Sequence, residues 1–221
     1  MTMTTSPAPH TPHFTQQHPA GFDELVRLAA IEPIAPEIDH FYFLRHGQTG
    51  RNASRIFQAV DEPLSELGMQ QAARAAERLA GEPIRTIVAS DSRRAFDTAN
   101  AVAERLRVVP MPREDLRERH FGALIGTSSV DLDWACAPEG GETLQQFVDR
   151  KRVALSFALA QPAPVLVVAH GGTLYVLTAL LGVSIAPAVL GNAQPLRFQR
   201  TGTTWAVEPL LARTNEAASL A

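Results

Sequence analysis

Two short stretches of this chain join residues that could do chemistry on an anion. Phe41-Tyr42-Phe43-Leu44 runs straight into Arg45-His46-Gly47, and Val167-Val168-Ala169 runs into His170-Gly171-Gly172. Each reads as a buried strand that delivers an imidazole to the mouth of a sheet. In an open α/β sheet, ligands sit beyond the carboxyl ends of the strands, so two strands of this design would bring both histidines to one crevice. Arg45 adds a planar, forked cation suited to carboxylate or phosphate. Taken alone, each stretch is equally compatible with a salt bridge, a satisfied histidine and a turn.

The elements between them follow a β-α-β-α rhythm, which predicts a largely parallel sheet covered by helices. Ser65 is a good N-cap for a helix to about Ala80, with Leu67, Ala72, Ala75 and Leu79 on its apolar face and Gly81 and Pro83 as stops. A β-type run spans 84–89, and Ser90-Asp91 reads as the cap of a helix reaching about Leu106. A short apolar stretch covers 108–112. Thr143 with Gln146 forms a capping box for a long helix ending before Pro162. The strand 164–169 is followed by an apolar helix from Thr173 to Leu181, closed by Gly182, and 196–199 and 203–208 read as final, edge-type strands.

At 221 residues, 45% hydrophobic and 19% charged, the chain suits one well-cored domain. We expect that domain over 39–210, after a 1–38 region made of a disordered tail and a short helix, and before a 211–221 tail. Residues 1–20 hold five Thr, four Pro and three His and almost no large apolar residue, so they cannot bury a core. His10, His13 and His18 there read as solvated. Phe22, Leu25, Val26 and Ala29 recur at helical spacing, so 22–31 is expected to pack on the domain or on a partner. A net charge of −3 gives no bias toward nucleic acid or an anionic membrane, and no transmembrane span or secretory leader is visible. The single cysteine, Cys136, fits a reducing compartment, and a cytoplasmic setting is expected. A cysteine-dependent phosphatase would want an arginine six positions further on, where this chain has Glu142.

In order along the chain, four segments resemble those of the histidine phosphatase (phosphoglycerate mutase-like) superfamily: Arg45-His46-Gly47-Gln48-Thr49; the Ser90 to Ala99 segment with Arg94-Ala95 and Thr98-Ala99; Leu116-Arg117-Glu118-Arg119-His120-Phe121-Gly122; and His170-Gly171-Gly172. Pro138-x-Gly140-Gly141-Glu142-Thr143 resembles a further family stretch. The resemblance covers about residues 40–200 and implies a three-layer αβα sandwich with a mostly parallel central sheet. It implies that His46 is the nucleophile, that Arg45, Arg94 and His170 hold the phosphoryl group, and that Glu118 is the proton donor. Asn52, Arg55 and Gly171 would contact substrate. No cofactor or metal is implied, and the partner is a small phosphorylated substrate; a homodimer is left open. Thr98 is expected to pack, and Arg93, His120 and His40 to be structural.

The chemistry suits those residues. A phosphomonoester is a dianion whose transition state spreads charge over its equatorial oxygens, so fixed cationic donors and in-line positioning carry most of the catalysis. A neutral His46 could attack phosphorus, provided a backbone carbonyl holds its other ring nitrogen. Glu118 would have to be protonated when the leaving group departs, which a nearby phosphate dianion favours.

Glu118-Arg119-His120-Phe121-Gly122 looks like the cofactor-dependent mutase version of the acid segment, but Phe121 stands where the mutases have Tyr, Ser129 where they have Lys, and residues 127–149 contain no Lys or Arg. Too few cations remain to retain a bisphosphorylated intermediate, so hydrolysis is the expected activity. Mutase-type phosphotransfer and a catalytically weak phospho-ligand-binding scaffold are the alternatives. A scaffold would have no need of Glu118. The short acid segment suggests an uncapped, accessible pocket.

Overall fold

The computed structural model describes residues 20–211. The three tail histidines and residues 212–221 lie outside that range. Six strands form one sheet in the order β3-β2-β4-β1-β5-β6. They are β1 (His40–Arg45), β2 (Thr86–Ser90), β3 (Pro110–Arg113), β4 (Val165–Ala169), β5 (Pro195–Thr201) and β6 (Thr204–Pro209). β3, β2, β4 and β1 run parallel, and β5 and β6 complete the sheet antiparallel. β5 is therefore interior, paired on both sides, and only β6 is the edge strand expected for both.

The helices are α1 (Phe22–Ile31), α2 (Gly50–Ala53), α3 (Glu66–Leu79), α4 (Arg93–Leu106), α5 (Leu144–Leu159) and α6 (Gly171–Leu180). They cover both faces, which is why β1 and β4 are apolar at consecutive positions. Alternate side chains go to opposite layers. Phe41 and Phe43 of β1 with Val165 and Val167 of β4 pack under α1, α5 and α6, while Tyr42, Leu44, Leu166 and Val168 pack under α3 and α4. α1 is part of this core: Leu25 and Ala29 are fully buried in the same cluster as Phe41. Its C-terminal end is held by Arg152 of α5, whose Nε donates to Glu32 O at 2.9 Å and Nη2 to Leu28 O at 3.3 Å.

Local chemistry shifts several boundaries. Leu67 is 43% exposed, because the inward position of that first turn is taken by Gly68, whose backbone meets Gln48. Arg107 adopts φ 58° and Val108 N still bonds Ala103 O, so α4 closes through these residues and β3 starts only at Pro110. Ser92, not Ser90, is the N-cap of α4; Ser90 ends β2 and is used elsewhere. α6 begins at Gly171 with His170 as its N-cap. The Thr143–Gln146 capping box forms as read.

Parallel β1 and β4 are neighbours, with Arg45 opposite Ala169. Their carboxyl ends place His46 and His170 side by side.

Candidate active site

His46 follows β1 with its backbone N–H bonded to Ala169 O at 3.0 Å, so the β1–β4 ladder extends to the residue itself. Its Nδ1 donates to Gly47 O at 2.7 Å. A carbonyl can only accept, so the proton is on Nδ1 and the lone pair is on Nε2. The next peptide is fixed as well: Gly47 N–H donates to Thr98 Oγ1 at 3.0 Å, and that hydroxyl donates to Arg94 O at 2.7 Å. Thr98 thus ties the histidine turn to α4, a role set by a partner 51 positions away that leaves no mark in the local sequence. Asn192 Nδ2 donates to His46 O at 2.9 Å, a contact from 146 positions away that no sequence signal announces.

His170 sits against His46 with ring centroids 5.2 Å apart. Its Nε2 is 2.9 Å from Ser90 Oγ, and its Nδ1 has no hydrogen-bond partner among the described residues. Burial holds both imidazoles well below the ordinary histidine range, and the charge of Arg94 pushes each further the same way. Both rings are therefore neutral at pH 7.

Arg45 and Arg94 flank the pair. Arg45 Nη1 donates to Leu190 O at 2.6 Å, and Arg94 Nη1, in the first turn of α4, to Ala59 O at 2.8 Å. The Nε of each is buried without a partner among the described residues. Burial lowers the pKa of both guanidiniums, with the Glu118 carboxylate pulling the other way. Two desolvated forks with donors to spare are a site that gains by accepting an anion.

Glu118 closes the site from the opposite wall. Its Oε2 accepts from Gly172 N–H at 2.9 Å in the first turn of α6, and its Oε1 from Arg119 N–H at 3.0 Å. The segment bearing it is clamped from α5. Arg150 Nη1 donates to Asp115 O and Arg117 O, Arg150 Nη2 to Glu118 O, and the fully buried Lys151 Nζ to the same Asp115 and Arg117 carbonyls. Arg119 commits four of its five N–H donors to the carbonyls of Trp134, Cys136 and Glu142. It braces a loop.

These groups share a cavity of about 880 Å³. Asn52 and Arg55, from α2 and the residues after it, line it, as does Gly171. Asn52 Oδ1 is buried without a partner among the described residues, and Arg55 Nη2 donates to Val130 O at 3.0 Å. The structure therefore brings together all eight residues singled out in the sequence. Tyr175 and Trp134, unremarked in the sequence, line the same cavity. Among the described residues no group of three or more His, Cys, Asp or Glu could hold a metal ion.

The family model of the histidine phosphatase superfamily (branch 1) matches residues 41–209. The chain belongs to this superfamily. Glucosyl-3-phosphoglycerate phosphatase of Mycobacterium tuberculosis is 37% identical over 179 residues, 68% of this chain and 80% of that protein. Metal-independent phosphoserine phosphatase of Arabidopsis thaliana is 34% identical over 167 residues, 64% of this chain and 68% of that protein. A solved structure of mycobacterial glucosyl-3-phosphoglycerate phosphatase with VO3 superposes with a TM-score of 0.65 at 32% identity, covering 77% of this chain and 98% of that one. Among the described residues no helix of this histidine phosphatase is long and apolar enough to cross a membrane.

Proposed function

We propose that the chain hydrolyses phosphomonoesters without a metal, through a phosphohistidine on His46. The observation that carries this reading is the Nδ1–H of His46 bonded to Gly47 O, which leaves Nε2 as the nucleophilic atom beside two desolvated arginines. In the first step the Nε2 lone pair forms the N–P bond as the bond to the alcohol oxygen breaks, and protonated Glu118 gives its proton to that oxygen. In the second step water attacks phosphorus, Glu118 takes its proton, the N–P bond breaks, and neutral His46 and phosphate result. Arg45, Arg94 and an Nδ1–H tautomer of His170, with Ser90 donating to its Nε2, hold the equatorial oxygens throughout.

The relatives named for glucosyl-3-phosphoglycerate and phosphoserine support a small phosphate ester as substrate. Mutase-type transfer is disfavoured because Phe121 and Ser129, which line the cavity, stand where the resemblance implies a Tyr and a Lys in the mutases. We take the cytoplasm as its setting, on the ground of the single cysteine.

The test is hydrolysis of p-nitrophenyl phosphate in excess EDTA. Chelator-resistant turnover that disappears in His46→Ala is the expected result. Turnover that survives in His46→Ala would exclude the mechanism, and loss of wild-type turnover in EDTA would restore a metal.

A further inference from the structure

Arg45, Arg94, His46 and His170 account for the phosphoryl group, but other residues of the same cavity are of different chemistry. Tyr175, Leu132 and Val130 line it together with Ala20, and Arg55 is a cation beside them with donors not fully engaged. Val130 is 49% exposed, and the Tyr175 hydroxyl has no hydrogen-bond partner among the described residues. This is an apolar wall with an aromatic face in the same cavity as the phosphoryl-binding groups.

The wall is backed by residues that lie ahead of those matching the family. Trp134 N–H donates to Ala20 O at 2.7 Å. Phe22, at the start of α1, meets Tyr175 edge-on with centroids 5.0 Å apart, and Tyr175 meets Trp134 at 6.2 Å and 86°. Trp134, backed by Phe147 at 6.0 Å, and Phe57 and Phe121 line the cavity but are nearly buried, so Tyr175 is the more exposed aromatic ring there. Gly21 allows the approach: it holds φ 71°, and a Cβ there would lie 2.3 Å from Ala135 N and 2.4 Å from Asp133 Oδ1. Because the other end of α1 is fastened separately by Arg152, the Ala20–Phe22 end can be disturbed locally.

We propose that Ala20–Phe22 positions Tyr175 and the Trp134 loop as the leaving-group wall of the pocket, selecting phosphate esters of ring-bearing alcohols that present an apolar ring face. Tyr175 is the contact residue; Phe22, which does not line the cavity, and Gly21 are positioning residues. The inference rests on the reading of this pocket as a phosphomonoester site. Aromatic edge contacts contribute about 0.5–1.5 kcal/mol beyond area, roughly two- to tenfold in affinity.

The experiment is calorimetric titration of the full chain with orthophosphate and with benzylphosphonate, for wild type, Phe22→Leu and Gly21→Ala. Phe22→Leu keeps an apolar side chain in place, and Gly21→Ala drives a methyl group against Ala135 N and Asp133 Oδ1, which displaces the loop that carries Trp134. The expected result is benzylphosphonate binding weakened about three- to tenfold in both variants, with orthophosphate binding changed less than about twofold. Equal shifts for the two ligands, or no shift for either, would overturn this inference alone. A wild type that binds neither ligand would overturn the phosphate-site reading as well.

Discussion

The imidazoles of His46 and His170 meet at 60° with their centroids 5.2 Å apart, and neither has a carboxylate to hold a charge on it. Burial and the same arginine, Arg94, keep both neutral, so the pair offers one nitrogen nucleophile and one neutral donor rather than two cations.

That relationship sets the pH behaviour. Because both values lie well below 6.5 in the unliganded protein, the acid limb of kcat/KM, which reports the free enzyme, should fall well below pH 6.5, and half-loss of kcat/KM at pH 6.5 would contradict the neutral pair. Stability follows the same groups. The unfolded chain binds protons below about pH 6.5 while the folded one does not, so stability is full above that pH and falls from pH 6.5 toward 5. Each histidine adds up to about 1.4 kcal/mol per pH unit to the slope. Thermal unfolding of wild type and His170→Asn across pH 5–7 should show the shallower dependence in the variant.

Glu118→Gln keeps the shape and hydrogen-bond reach but removes proton transfer. Turnover of p-nitrophenyl phosphate, whose leaving group departs readily, should fall less than about tenfold, while that of an alkyl phosphate should fall about 10²–10⁴-fold. Equal losses on both substrates would remove Glu118 from the role of acid.

Gly172→Ala tests where that carboxylate must be. A Cβ at residue 172 would lie 2.3 Å from Glu118 Oε1 and 2.7 Å from Trp134 Cη2. The substitution should reproduce the leaving-group dependence of Glu118→Gln, with orthophosphate binding retained. Alkyl phosphate turnover equal to wild type would show that Glu118 need not sit on Gly172 N–H.

Thr98→Val is nearly isosteric and strands the Gly47 N–H in the interior. A loss of about 1–3 kcal/mol is expected in urea unfolding, the cost of an unsatisfied buried donor. An unchanged midpoint would show that the His46 turn does not depend on α4.

Much of this was legible in residue order. The apolar runs before Arg45-His46-Gly47 and His170-Gly171-Gly172 could only be strands covered on both faces, and they proved to be adjacent and parallel. α1 was legible from Phe22, Leu25 and Ala29, and α5 from its capping box. What was hidden depends on long-range partners. Ser90 looked like a helix cap because its partner, His170, lies 80 positions away. The clamp of Arg150 and Lys151 on the Glu118 segment acts on carbonyls, which every residue carries and which therefore leave no mark in the sequence. β5 looked like an edge because alternation along a strand says which faces are covered, not how many neighbours pair with it.

The most direct measurement is of the intermediate itself. Enzyme mixed with ³²P-labelled substrate and quenched in alkali should carry label that is stable to base, lost in acid, and confined to the peptide containing His46. His46→Asn should carry none. Label on His170 or on a carboxylate, or multiple turnovers with no labelled protein at any quench time, would contradict a phosphohistidine on His46.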